Sequence, residues 1–219
     1  MKPWIAPAAA LAAALAVCAT PGEARRDRLR PTANPSAVVA AELAFARTAQ
    51  EKGQWTAFDE YAAKDAIMFV PQPTSAKAWL KGRANPQVAV TWQPYEVWMS
   101  CDGSLAVTKG AWQRPKGAGY FTTVWRRQKN GEYKWVLDQG DALKEPLPEP
   151  EMIAGHVAEC AKPAPPDVPA VAGRTVGWSD DKTLQWIVDV KPDNSRIFRV
   201  ERWTGSGYEE ALRSEVAAE

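Results

Sequence analysis

The chain has 219 residues, with 27 basic side chains, 26 acidic side chains and a single histidine, for a formal net charge of +1. That balance, without a basic stripe, excludes a nucleic-acid surface as the organising feature, and one histidine leaves little room for His-dependent nucleophilic or metal chemistry. The length supports one domain with a real core plus an appendage.

Met1-Lys2 gives a basic start, an Ala- and Leu-rich apolar run follows from Ile5 to Ala19, and Gly22-Glu23-Ala24 offers small residues at the two positions a signal peptidase reads. Residues 1–24 therefore read as a secretory signal peptide, and the run is too short for a comfortable membrane span. The product would be exported, periplasmic or secreted, with no membrane span after processing. Leu15-Ala16-Val17-Cys18 also invites a lipid anchor at Cys18, against which stands the bulk of Val17.

Residues 25–35 form a charged, Pro-containing lead-in. Ser36 then suits an N-cap, and a helix is predicted over 37–52 with Val39, Leu43 and Ala46 on its apolar stripe and Gly53 closing it. Trp55, Phe58 and Tyr61 repeat at three-residue spacing and predict a second short helix. Asp65 opens an extended stretch that stops at Pro71, and Ser75 suits the cap of a third helix through Trp79 and Leu80.

Strands dominate afterwards. Val90 to Ser100 and Leu105 to Gln113 flank Asp102-Gly103, a register that sets Trp98 opposite Val107 and Glu96 opposite Lys109. The segment from Tyr120 to Asp138 reads as two strands joined by a two-residue type I′ turn at Asn130-Gly131. In that register Thr123 meets Asp138, Val124 meets Leu137, Trp125 meets Val136, Arg126 meets Trp135, Arg127 meets Lys134 and Gln128 meets Tyr133. Residues 144–172 read as a Pro-rich linker. Residues 173–213 read as a small antiparallel meander, too slight to stand alone and expected to pack on the main domain or on a second subunit. Cys101 and Cys160 could close a disulfide in an oxidising compartment or remain two half-buried thiols.

The order of elements argues an α+β fold with helices on one face of a curved sheet. The ordered set Ala41 to Ala46 with Lys52-Gly53, Tyr61 to Pro71, Thr108 to Gly110, Tyr120 to Arg127 and Gly131 to Asp138 resembles the superfamily of ketosteroid isomerase, the SnoaL polyketide cyclase and the nuclear transport factor. The resemblance covers residues 36–143 and is nearest the secreted, largely uncharacterised bacterial branch. It implies a cone-shaped curved antiparallel sheet, N-terminal helices packed on its concave face, a pocket between them, and often a homodimer formed through the sheet's outer face. The meander lies outside that shared core.

The isomerase of that superfamily uses an Asp general base just before the Pro that ends the first strand, with an oxyanion hole made of a Tyr and a protonated Asp. Here the base position is Val70, which cannot shuttle a proton. Asp138, beside Thr123 on the face carrying Phe121 and Trp125, is the alternative acid, with Tyr61 a possible helper; its plain alternative is a carboxylate that ties down a loop. Asp141 falls on the opposite face with Tyr120. The expected ligand pocket comprises Phe69, Trp79, Trp98, Trp112, Phe121, Thr123, Trp125 and Asp138, although 11 tryptophans also suit a filled core. His156 and Cys160 share i, i+4 spacing, too few ligands to predict a metal. Gly205-Ser206-Gly207 is a turn signal, and no cofactor is implied. Three arginines of the meander, Arg196, Arg199 and Arg202, are expected on solvated faces. Three functions fit: an exported binding module for a small hydrophobic ligand without the usual base, a proton-transfer or cyclase-type enzyme using Asp138, or a protein-interaction scaffold.

Overall fold

The computed structural model describes residues 1, 32–161, 163 and 168–218. The signal-peptide reading and Cys18 lie outside the described residues. Among those residues no helix is long and apolar enough to cross a membrane.

Helix α1 spans Pro35–Lys52. Its first position is Pro35, whose fixed φ suits N1 and whose missing N–H costs nothing there, so the cap falls on Asn34 and not on Ser36. Its buried face is Val38, Glu42, Phe45, Thr48 and Ala49, one position away from the expected Val39, Leu43, Ala46 stripe, and Leu43 is exposed. The reason is Glu42: a carboxylate counted as polar sits in the core because three donors meet it there. Gly53, at φ +103°, ends α1 and starts α2 (Gln54–Tyr61). Strand β1 (Ala62–Phe69) and the short β2 (Pro73–Ser75) lead to α3 (Ala76–Leu80), whose N-cap Ser75 accepts from the N–H of Ala78.

Long strands follow: β3 (Thr91–Met99), β4 (Leu105–Arg114), β5 (Gly117–Arg127) and β6 (Tyr133–Leu143). The Pro-rich stretch contains a further strand, β7 (Ala154–Val157), and the C-terminal region forms β8 (Arg174–Trp178), β9 (Leu184–Val190), β10 (Arg196–Trp203) and β11 (Tyr208–Val216). One curved sheet has the order β2-β1-β6-β5-β4-β3-β7, and a second has the order β11-β10-β9-β8. The fold is α+β. The large sheet is mixed rather than wholly antiparallel, because β1 runs parallel to β6 and β7 runs parallel to β3.

Trp98 faces Val107 and Glu96 faces Lys109 in the β3–β4 hairpin. In the β5–β6 hairpin, Thr123 faces Asp138 and Val124 faces Leu137, but nearer the turn Trp125 faces Trp135, Arg126 faces Lys134 and Arg127 faces Tyr133. The expected pairs of Trp125 with Val136, Arg126 with Trp135, Arg127 with Lys134 and Gln128 with Tyr133 do not form. The turn explains this. Gly131 alone takes positive φ, at +89°, so the loop is a three-residue one, with Gln128 N–H bonding Glu132 O and Gly131 N–H bonding Gln128 O. That loop sets a register one residue off, and a bulge at Val136 restores the outer register.

Four loops use one chemistry: an Asp or Asn, then a residue at positive φ, then an N–H that donates back to the side chain. The groups are Asp102-Gly103-Ser104, Asn130-Gly131-Glu132, Asp181-Lys182-Thr183 and Asp193-Asn194-Ser195. The first and third dock on each other almost as mirror partners. Asp102 N–H donates to Asp181 Oδ2 at 2.8 Å and Asp181 N–H donates to Asp102 Oδ2 at 3.2 Å. Cys101 N–H donates to Thr183 Oγ1, and Asp180 N–H donates to Ser104 Oγ, each at 2.9 Å. Beside this joint Cys101 and Cys160 form a disulfide, with Cα atoms 5.2 Å apart.

The sheet's two faces are distinguished by alternation. Thr108, Thr123, Trp125 and Asp138 look toward the helices, while Val107, Thr122, Val124 and Gln139 look away. The away-facing side is covered by the C-terminal sheet: Gln139 Nε2 donates to Ser214 Oγ, Tyr120 Oη to Glu215 O, and Arg196 to Gln139 Oε1 and Gly140 O. Leu184, Trp186, Val188, Phe198, Val200 and Leu212 join the same apolar core as Val107, Val124 and Leu137. Two expectations change here. The outer face is occupied by the chain's own strands, so it is not the open surface through which a homodimer was expected. Arg196 is buried, at 6% exposure, because its guanidinium satisfies strand carbonyls and lies 4.5 Å from the Phe69 ring.

Candidate functional site

The space between α1, α2 and the helix-facing side of the sheet is an open cavity of about 460 Å³. Its apolar wall comes from Phe45, Trp55, Phe58, Trp92 and Trp112, and its floor from Phe121, Thr123 and Asp138. Strand alternation places Phe121 and Thr123 on the floor, and the parallel pairing of Met68 with Asp138 brings β1 alongside. A larger cleft of about 570 Å³ lies between β1 and the C-terminal sheet, but it is chiefly apolar and its Arg174 is engaged by Asp189. The smaller cavity is the one lined by the Asp138 carboxyl.

Of the expected pocket residues, Phe69, Trp112, Phe121, Thr123 and Asp138 line this cavity, as does Val70. The other three do not. Trp79 stands edge-on to Trp55 at 5.0 Å under the Arg83 guanidinium, outside the cavity. Trp98 points to the sheet's outer face and stacks on His156 at 5.8 Å. Trp125 is fully buried between the sheet and α1, where its indole N–H donates to Glu42. Tyr61 stacks on Phe45 and its hydroxyl lies 3.4 Å from Thr48 Oγ1, so it does not face Asp138 through the cavity. Asp141 and Tyr120 pair across β5–β6 and line the rim. Arg114 is the one cationic side chain among the lining residues, lying 5.4 Å from the Trp112 ring. His156 sits on β7, and Cys160 is spent in the disulfide, so their helical ligand spacing does not arise.

Asp138 Oδ2 accepts from Thr123 Oγ1 at 2.8 Å. No described residue donates to Oδ1, and the accessible part of the carboxyl faces the cavity. Burial pushes the Asp138 carboxyl up to about 7, the Thr123 hydrogen bond opposes this, and the nearby Glu42 charge adds to it.

Glu42 is the residue that sequence reasoning missed. It is 0% exposed. Oε1 accepts from Trp92 Nε1 at 2.8 Å, and Oε2 accepts from Thr108 Oγ1 at 2.6 Å and from Trp125 Nε1 at 2.9 Å. Burial holds its pKa above the ordinary carboxylate value, and the bonds from Thr108, Trp92 and Trp125 oppose that rise without cancelling it. A signal was present: Trp92, Thr108 and Trp125 are polar-tipped residues on adjacent core-facing strands, and buried indole N–H groups call for an acceptor.

Asp138 makes stability fall with rising pH. Its folded pKa of about 7 lies above the ordinary 3.8, so between those values the folded state holds a proton that the unfolded chain has released. Unfolding free energy should fall as pH rises through that window, at up to about 1.4 kcal/mol per unit. Asp138→Asn should flatten this slope and be the more stable protein at neutral pH, as checked by urea unfolding at several pH values.

No family model and no curated protein matches the chain. Among solved structures it is similar to a protein of unknown function from the DUF3225 family of Pectobacterium atrosepticum SCRI1043, at 13% identity and a TM-score of 0.40, over 50% of this chain and 91% of that one. It is also similar to a candidate ketosteroid isomerase from Parabacteroides distasonis ATCC 8503, at 16% identity and a TM-score of 0.40, over 52% of this chain and 97% of that one. Each likeness is one of fold, and neither assigns a role to a residue of this chain.

Proposed function

We propose that the cavity binds a small, flat, largely apolar molecule and orients one of its oxygen atoms on Asp138. The observation that carries this reading is a carboxyl with a free Oδ1 at the floor of an aromatic cavity of about 460 Å³. A buried polar group without its full set of partners is costly, and a ligand oxygen supplies the missing one. Trp92 and Trp112 flank the space and act as reporters. Titration with flat carbonyl compounds should quench tryptophan fluorescence, and Asp138→Leu, which has no hydrogen to offer a carbonyl, should weaken binding about tenfold or more, the scale of one hydrogen bond to an ionisable group. Equal affinity in wild type and variant, or no ligand in a broad screen and none retained in native mass spectrometry, would remove the reading.

A second reading is favoured by the acidity of Asp138. A carboxyl that titrates near 7 can give and take a proton at neutral pH, which is what general acid–base catalysis needs. It would replace the missing base at Val70 with an acid one strand away. Exchange of deuterium into the carbon next to the carbonyl of a bound ketone, lost in Asp138→Asn, is the result expected of an enzyme. Binding without exchange leaves a binding protein.

A further inference from the structure

The Glu42 carboxylate has no place in the binding reading, yet its surroundings are built around it. Its three donors come from three different strands, β3, β4 and β5, and all meet the same carboxyl. Two of them are indole N–H groups, which cannot accept a proton. The third, Thr108, donates at a short 2.6 Å, and its oxygen also receives from Trp125 Nε1 at 3.1 Å. A protonated Glu42 could give its hydrogen only to Thr108 Oγ1, because the other two neighbours are indole N–H groups, and Thr108 would then have to turn its own hydrogen to Thr123 O at 3.4 Å. The cage therefore fits the anion, which takes all three hydrogens, and disfavours the acid.

That anion lies on α1, on the same side of the sheet as the cavity. Thr108 carries it, and Thr108 is directly paired with Thr123, whose hydroxyl holds Asp138. Among the described residues no lysine, arginine or histidine bonds either carboxyl. The other titratable or charged residues lining the cavity are Arg114, and Tyr120 and Asp141, which pair on the sheet's other face, with the Tyr120 hydroxyl on Glu215 O. Tyr61, from α2, has its hydroxyl against Thr48. Two buried carboxyls with no cation bonded to either cannot both ionise easily. The one with three donors keeps the charge, and the one with a single donor keeps the proton.

We propose that Glu42 is the resident negative charge of the cone and that it holds the proton on Asp138, so that the pocket offers its ligand a carboxylic acid and not a carboxylate. Glu42 is then a positioning residue acting through Asp138. The ligand class narrows accordingly: the atom placed on Asp138 Oδ1 is a hydrogen-bond acceptor, as in a ketone, ester or quinone, and carboxylates are repelled by the charge on α1. This narrowing rests on the binding reading; the division of charge and proton does not.

The test is carboxyl carbon NMR on unliganded protein labelled at Asp and Glu, titrated with pH and assigned with Asp138→Asn. In the wild type, Asp138 should titrate near neutrality while Glu42 stays ionised across that window. In Glu42→Gln the Asp138 midpoint should move down by about one pH unit or more. Trp92→Phe, which keeps the aromatic wall but removes the donor to Oε1, should move the Glu42 midpoint up, and it serves alone if Glu42→Gln does not fold. An Asp138 midpoint unmoved in Glu42→Gln, a Glu42 midpoint unmoved in Trp92→Phe, or a wild type with Glu42 protonated and Asp138 ionised at neutral pH would each overturn the proposal. None of these readings requires a ligand, so they separate this proposal from a failure of the binding reading.

Discussion

Phe45→Ala is expected to lower the unfolding free energy by about 3–5 kcal/mol, the range for removing a buried phenyl ring from a close-packed core. Phe45 is 1% exposed. It stands edge-on to Phe58 at 4.9 Å and to Trp92 at 4.8 Å, stacks on Tyr61 at 5.2 Å, and meets Trp125 edge-on at 6.1 Å. Aromatic pairs of this kind add to the area they bury, so alanine would lose both. The ring also forms part of the cavity wall, so the space left would join the cavity and let water approach Glu42 from the helix side. Urea unfolding should show a lower midpoint with an unchanged slope. A loss below about 1 kcal/mol would mean the ring cluster collapses around the gap and is not a fixed wall.

Removing the disulfide should have a similar effect. Cys101 and Cys160 are separated by 59 residues, and closing a loop of that length restrains the unfolded chain by about 4 kcal/mol. Cys101→Ser with Cys160→Ser should lower the melting temperature of the oxidised protein to that of reduced wild type. The loss should couple to the paired turns. Asp181 accepts from the Ser179 hydroxyl, from Thr183 N–H and Oγ1–H, and from Asp102 N–H across the joint. Asp181→Ala in the disulfide-free background should cost more than in the wild type, because both ties converge on the turn at Cys101. Equal costs in the two backgrounds would show that the two ties act independently.

The strands and helices were readable because their signals are local. Glycine and proline set the ends, as Gly53 and Pro71 show, and alternation put Asp138 beside Thr123. Two kinds of information were not local. The Asn130-Gly131 pair announces a turn but does not say whether one or both residues take positive φ, and that choice moved every pair between the loop and Val136. Glu42 was invisible for a different reason. A helix stripe is found by counting apolar residues, and a carboxylate inside the stripe shifts the count onto Val39 and Leu43. Only the meeting of Trp92, Thr108 and Trp125 in space makes Glu42 a core residue. Trp98 and Trp125 share a composition signal with Trp112, yet the sheet sends one outward, one against α1 and one to the cavity wall.

The C-terminal sheet carries a last consequence. Strands β9 and β10 lie over a large apolar surface that would otherwise face water, and they are tethered to it by the same polypeptide. A lid supplied by a separate molecule comes off on dilution, whereas a tethered one sees a fixed local concentration. The cavity's back wall should therefore hold its shape in a solitary molecule at nanomolar protein, with no need of a companion.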